Sequence, residues 1–169
     1  EHPRLLIANF DEMEPGTFKD RFLVQGDPHQ LIEGILISAY ACEVDVAYIF
    51  VRGEYVDAIH LLERALAEAK AANYIGKNIL HKGWNFEIHL HTSAGRYMCG
   101  EETGLVDALE GRRANPRTKP PYAVTSGAWG KPTVVNNVET LCCVPHIIAR
   151  GADWFKGLGK AKDAGMKYL

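Results

Sequence analysis

Val46-Ala47-Tyr48-Ile49-Phe50-Val51 decides the fold. The run is apolar almost without interruption, the pattern of a strand covered on both faces rather than one with a solvated side. With Val44 it reads as a strand over 44–51 that Gly53 breaks. Upstream, Asp27-Pro28 pairs an N-cap acceptor with a proline at the first helical position, and Leu31, Ile32, Ile35, Leu36, Ala39 and Tyr40 recur at helical spacing. An amphipathic helix ending near Cys42 follows. Before it, Arg4-Leu5-Leu6-Ile7-Ala8 has strand length and stops at the acidic loop Asn9-Phe10-Asp11-Glu12-Met13-Glu14-Pro15-Gly16.

Downstream the alternation continues. Residues 54–72 have a helical period through Val56, Ile59, Leu62, Leu66 and Ala69, with Asp57 at the front and Lys70 at the back, and Asn73 and Gly76 terminate them. Phe86-Glu87-Ile88-His89-Leu90-His91 alternates as a third strand, Gly95 and Gly100 punctuate the turn after it, and 101–109 reads as a short helix. Strand and helix in turn predict an α/β fold, a parallel sheet with flanking helices. Residues 111–132, rich in Arg, Pro and Gly, form a long loop or arm; 134–149 resumes helical spacing, with Asn136-Asn137 at its opening. The Gly/Lys-rich stretch 156–162 reads as a linker.

The chain has 169 residues, 47% hydrophobic and 24% charged, enough for one globular domain with a core. A formal charge of -2 leaves no basic surplus for a phosphate backbone, so nucleic acid is not an expected partner. No apolar run is long enough to span a bilayer, and Glu1-His2-Pro3-Arg4 opens no signal peptide, so direct membrane insertion is not expected. The four cysteines, Cys42, Cys99, Cys142 and Cys143, make no C-x-x-C and fit a reducing compartment.

In an open parallel sheet, ligands collect at the carboxyl ends of the strands, which places the loops at 9–14 and 92–102 on one crevice. Their carboxylates serve helix termini and turns in the plainer reading; in the functional one they accept hydrogen bonds from ribose, ribityl or carboxamide groups. Gly127-Ala128-Trp129-Gly130-Lys131-Pro132-Thr133 is no Walker loop, because Pro132 stands where Ser or Thr must follow the lysine, and no G-x-G-x-x-G occurs. His89 and His91 share a strand face but lack a third ligand, so no metal is expected. Arg112, Arg113, Arg117 and Lys119, threaded with prolines, are a solvated stiff loop or a rigid arm over an anion or docking surface.

Four long segments carry a resemblance: Asn9-Phe10-Asp11-Glu12-Met13-Glu14-Pro15-Gly16-Thr17-Phe18-Lys19-Asp20-Arg21, Gly95-Arg96-Tyr97-Met98-Cys99-Gly100-Glu101-Glu102-Thr103, Glu110-Gly111-Arg112-Arg113-Ala114-Asn115-Pro116-Arg117 and Val135-Asn136-Asn137-Val138-Glu139-Thr140-Leu141. In this order they resemble the NADH-binding flavoprotein subunits of respiratory complex I, the bacterial F subunit, and their counterparts in NAD-linked hydrogenases and formate dehydrogenases. The resemblance implies a Rossmann-like FMN-binding domain that takes hydride from NADH, with the chemistry carried by FMN and no catalytic side chain. It implies FMN contacts at Asn9, Asp11, Glu12, Tyr97, Gly100 and Glu101, with Val135, Asn136, Asn137 and Thr140 toward the phosphate end, and NADH contacts at Glu14, Glu102, Lys119 and Tyr122.

The same resemblance implies an FMN/NADH-binding domain over 1–155, without the Gly-rich loop that precedes the first motif in the family, and a linker over 156–169 toward a ubiquitin-like domain. A 4Fe-4S cluster is implied only in a carboxyl-terminal part outside this chain. The implied partners are the thioredoxin-like 2Fe-2S subunit and the large iron-sulfur subunit. The implied place is the peripheral arm on the cytoplasmic side of the bacterial inner membrane. The alternatives are the flavin module of an NAD-linked hydrogenase or formate dehydrogenase, and a catalytically silent docking module. Phe10 where Ala is usual could crowd the cofactor loop, and Ser93 stands where Gly is usual.

Overall fold

The computed structural model describes residues 3–167. The ends of the two expected segments, Glu1-His2 and Tyr168-Leu169, lie outside them.

The chain runs β1 (Leu5–Phe10), α1 (Lys19–Gly26), α2 (Pro28–Ala41), β2 (Val46–Val51), α3 (Val56–Ala71), β3 (Gly76–Ile79), β4 (Trp84–Thr92), α4 (Glu102–Leu109), α5 (Ala123–Ser126), β5 (Thr133–Asn137), α6 (Val138–Arg150) and α7 (Ala152–Gly157). The sheet order is β3-β4-β2-β1-β5. β4, β2, β1 and β5 are parallel, and β3 pairs antiparallel with β4.

Period-two alternation divides the core between the two faces of the sheet. Leu6, Ala8 and Phe10 of β1 and Ala47, Ile49 and Val51 of β2 pack under α1, α2, α3 and α6, while Leu5, Ile7 and Phe50 face α4 and the arm residues Ala114 and Ala128. Both faces of β1 and β2 are therefore covered, as the uninterrupted apolar run requires. Asp27 caps α2 as expected, its Oδ1 accepting from the Gln30 N–H at 3.1 Å. α2 and α6 touch backbone to backbone at Gly34, where a Cβ would stand 2.0 Å from the Leu141 carbonyl oxygen.

Three expectations need correction. The segment read as a helix over 134–149 begins as a strand: Val134 and Val135 pair with Leu6 and Ile7, and only from Val138 does the chain turn helical. Neighbouring β1 supplies a ladder that outweighs the helical spacing of the side chains. Asn137 of the expected pair caps α6, its Oδ1 accepting from the Glu139 N–H at 3.0 Å, while Asn136 belongs to β5. Gly76 does not merely end α3; it opens the edge strand β3, joined to β4 by a turn in which Asn78 Oδ1 accepts from the Gly83 N–H at 2.8 Å. Phe10 does not crowd the loop, because its side chain is fully buried in the core, 5.5 Å from the Tyr55 ring.

Candidate functional site

From β1 the chain moves by α1 and α2 to β2 on one side, yet β5 lies on the other side of β1. Strand order reverses there, and such a switch point opens a crevice at the carboxyl ends of the strands. A cavity of about 470 Å³ lies at that place, walled by the segments after β1 and β4 and by Asn137 at the end of β5. The two walls are tied together: Asn9 Nδ2 donates to the Gly100 carbonyl at 2.8 Å, Ser93 Oγ donates to Asp11 Oδ1 at 2.9 Å, and the Tyr97 hydroxyl donates to Glu14 Oε2 at 2.5 Å.

The carboxylates do different work. Glu101 is the N-cap of α4; its Oε2 accepts from the Thr103 N–H at 3.0 Å, the Gly104 N–H at 2.8 Å and the Thr103 hydroxyl at 2.6 Å. Burial opposes ionisation there, but the Thr103 hydroxyl and the two backbone donors outweigh it and hold the carboxyl below its ordinary value. Glu12 lines the crevice, but its Oε1 accepts from the Asp20 N–H at 3.0 Å, and its Oε2 from the Arg21 N–H at 3.3 Å and the Tyr55 hydroxyl at 3.0 Å. It thus satisfies the open amino end of α1, where Phe18 offers no side-chain cap. Burial and this contact push the Tyr55 hydroxyl up to about 12.

Asp11 is 6% exposed, and its Oδ2 is buried without a hydrogen-bond partner. Burial pushes its carboxyl up to about 6; the Ser93 hydrogen bond opposes this, Glu54 adds to it and Arg52 opposes it. Lys19 is the one cation among the described residues that line the crevice. Its ammonium meets Asp20 at 2.6 Å, Glu139 at 3.0 Å and Asn137 Oδ1 at 3.1 Å, and Asn137 Nδ2 donates to Asp20 Oδ2 at 2.8 Å.

Against this geometry, the family model described as the Nuo51 FMN-binding domain matches residues 1–146. The chain belongs to this family. It is 60% identical over 166 residues to the F subunit of the NADH-quinone oxidoreductase of Escherichia coli (strain K12), covering 98% of this chain and 37% of that protein. It is 53% identical over 165 residues to the F subunit of the Aquifex aeolicus (strain VF5) enzyme, covering 98% of this chain and 39% of that one. An NAD+-reducing NiFe hydrogenase crystallised in the air-oxidized state superposes with a TM-score of 0.86 at 41% identity over 96% of this chain and 27% of that chain. The chain thus spans less than two fifths of the length of these curated relatives.

In this FMN-binding family member, the structure brings Asn9, Asp11, Glu12, Glu14, Tyr97, Gly100, Glu101 and Asn137 to one crevice. Val135, Asn136, Thr140, Glu102, Lys119 and Tyr122 do not line it. Glu102 and Lys119 pair with each other at 2.5 Å, and Tyr122 stands exposed on the arm. The arm is held by acids of α4 and the residue after it: Arg117 reaches Asp107 at 2.6 Å and Glu110 at 3.0 Å, and Arg112 also pairs with Glu110. His89 and His91 pack on Tyr48 and Phe50, with ring centroids 5.4 and 5.2 Å apart. No helix among the described residues is long and apolar enough to cross a membrane.

Sequence reasoning missed Lys19 and Asp20 as parts of the crevice, and the bond of Ser93 to Asp11 behind it. The adjacent opposite charges at 19 and 20, just before an amphipathic turn, were the one available sign. Replacing Glu101 by Gln is expected to cost about 1–2 kcal/mol at pH 7, the usual range for a lost cap. Because the folded carboxyl lies below its unfolded value, that contribution is present above about pH 4.3 and is lost as pH falls through the folded value. Urea melts of both proteins at pH 7 and pH 3 check this; a gap that stays constant with pH would contradict the assignment.

Proposed function

We propose that this chain is the FMN- and NADH-binding segment of an electron-input flavoprotein of NADH-quinone oxidoreductase. The observation that carries the reading is the crevice at the strand-order switch, where a buried Asp11 oxygen has no partner. The residues present fit the cofactor. Carboxylate and amide oxygens suit the hydroxyls of a ribityl chain and the N–H edge of a flavin ring, and Lys19 supplies a cation near the Asn137 end, where α6 begins. At Gly100 a Cβ would lie 3.1 Å from the Asp11 carbonyl oxygen, so glycine keeps that wall thin.

When bound, FMN supplies the acceptor for the hydride of NADH and releases the electrons singly. The side chains position rather than react. Asn9 fixes the Gly100 backbone, Asp11 offers an acceptor inside the crevice, and Glu101 aims the amino end of α4 at it. The FMN set of Asn9, Asp11, Glu12, Tyr97, Gly100, Glu101, Val135, Asn136, Asn137 and Thr140, and the NADH set of Glu14, Glu102, Lys119 and Tyr122, belong to this proposal. Within it, Glu12 acts through α1, Glu14 and Glu102 border the nicotinamide and its ribose, and Tyr122 with Lys119 beside it meets the adenine. The cofactor-binding domain is 1–155 and the linker 156–169.

Partner subunits follow from the same reading: a thioredoxin-like 2Fe-2S subunit and a large iron-sulfur subunit, in a peripheral arm on the cytoplasmic side of the inner membrane. The flavin module of an NAD-linked hydrogenase is the second reading, favoured by the 0.86 TM-score; the higher identity to the quinone-reducing relatives ranks it second. The test is to add FMN to the chain, desalt it, and add NADH under anaerobic conditions. A yellow protein bleached by NADH is expected. Colourless protein after desalting would overturn the reading and favour a silent docking module.

A further inference from the structure

Ser93 and Asp11 stand 82 residues apart and meet at 2.9 Å, and both are buried. The serine is itself held, since its Oγ accepts from the Gly95 N–H at 3.2 Å. A hydroxyl that accepts from one fixed donor has its own proton free for a single direction, here Asp11 Oδ1. The carboxyl cannot rotate without breaking that bond, and Oδ2 remains the buried oxygen without a partner. A buried acceptor left unpaired costs free energy, and a crevice that keeps one is arranged for a donor that arrives with a ligand.

We infer that Ser93 is a positioning residue of the crevice: its hydroxyl fixes the Asp11 carboxyl and keeps it ionised, so that Oδ2 can accept from a hydroxyl or N–H donor of the bound cofactor. This rests on the FMN reading above for the identity of the ligand, but not for the Ser93–Asp11 coupling. The other charges bearing on Asp11 are Arg52 and Glu54 after β2 and, weakly, the Cys99 thiol from the segment after β4. Among the described residues, only the Ser93 side chain donates a hydrogen bond to Asp11. Loss of that bond leaves burial and Glu54 acting against Arg52 alone, and the carboxyl then holds its proton to higher pH.

The test uses the chain with ¹³C-labelled aspartate carboxyls, assigned with Asp11→Asn, and the variants Ser93→Ala and Ser93→Thr. In the protein without flavin, the Asp11 signal is expected to titrate near pH 6 and to move up by about one pH unit in Ser93→Ala. Ser93→Thr, which keeps the hydroxyl, restores it. FMN binding, read by fluorescence quenching, is expected to be about fivefold weaker in Ser93→Ala at pH 6 and to match the parent above pH 8, as the two ionised fractions converge. An unmoved carboxyl midpoint, even with a lowered melting temperature, would reduce Ser93 to a packing residue and overturn the inference. A moved midpoint in a chain that takes no FMN at any pH would instead overturn the FMN reading and leave the coupling intact.

Discussion

Lys19→Met is expected to destabilise the fold by about 3–5 kcal/mol at pH 7, the range for removing one partner of a buried ion network. The Asp20 and Glu139 side chains are 3% and 1% exposed, and the Lys19 ammonium is the cation that both meet within 3.0 Å. Burial works against the charge of Lys19, yet the two carboxylates hold its ammonium above the ordinary value. Asn137 gives one hydrogen bond to Asp20, and Lys167 approaches Glu139 at 3.7 Å from an exposed position, so part of the charge stays compensated. Asp20, 3% exposed, loses its one cation among the described residues. Burial already raises the Asp20 carboxyl, and without the opposing Lys19 ammonium it rises further. The penalty is therefore full at neutral pH and shrinks as pH falls toward the unfolded carboxylate range near 4. Urea denaturation at pH 7 and pH 5 measures both the cost and its decline. A cost under about 1 kcal/mol at pH 7 would mean that water and Lys167 already neutralise the cluster.

The second large effect concerns space rather than charge. Gly34→Ala places a methyl 2.0 Å from the Leu141 carbonyl oxygen and 2.7 Å from its carbon. Backbone cannot rotate aside, so α2 and α6 must separate, and with them the buried Leu31, Ile35 and Leu141. In an unencumbered helix the same change would add roughly 0.5–1 kcal/mol of stability. Here the net result is expected to be a loss of about 3 kcal/mol, the upper end for overpacking, because the obstacle is main chain. Gly26→Ala is the control, since nothing lies within 4 Å of the place its methyl would take, and it is expected to be close to neutral. Equal thermal stability of the two variants would show that the α2–α6 contact yields without cost.

The parts of the fold legible in the sequence were those set by local pattern. The continuous apolar run of β2, the Asp27-Pro28 start of α2 and the Glu101 cap of α4 each carry their reason within a few residues. The parts that escaped depend on partners distant in sequence. β5 is a strand because β1 offers Leu6 and Ile7 as neighbours, and nothing in Val134-Val135 alone distinguishes that from the start of a helix. The amino end of α1 is satisfied by Glu12 from the preceding loop, where Phe18 offers no side-chain cap. The site divides in the same way. The rule of strand carboxyl ends placed Asp11 and Glu101 on one crevice, whereas the couplings of Ser93 to Asp11 and of Lys19 to Glu139 span too many residues to be visible as a motif.

The walls of the crevice come from residues 9–20, 93–101 and 137–139, joined by side-chain bonds that cross the whole domain. During synthesis the amino-terminal wall leaves the ribosome first, and its Asp11 and Asn9 meet Ser93 and Gly100 only 82 and 91 residues later. The crevice is thus completed late in the life of the nascent polypeptide, when β5 docks beside β1 and brings Asn137 to Lys19 and Asp20.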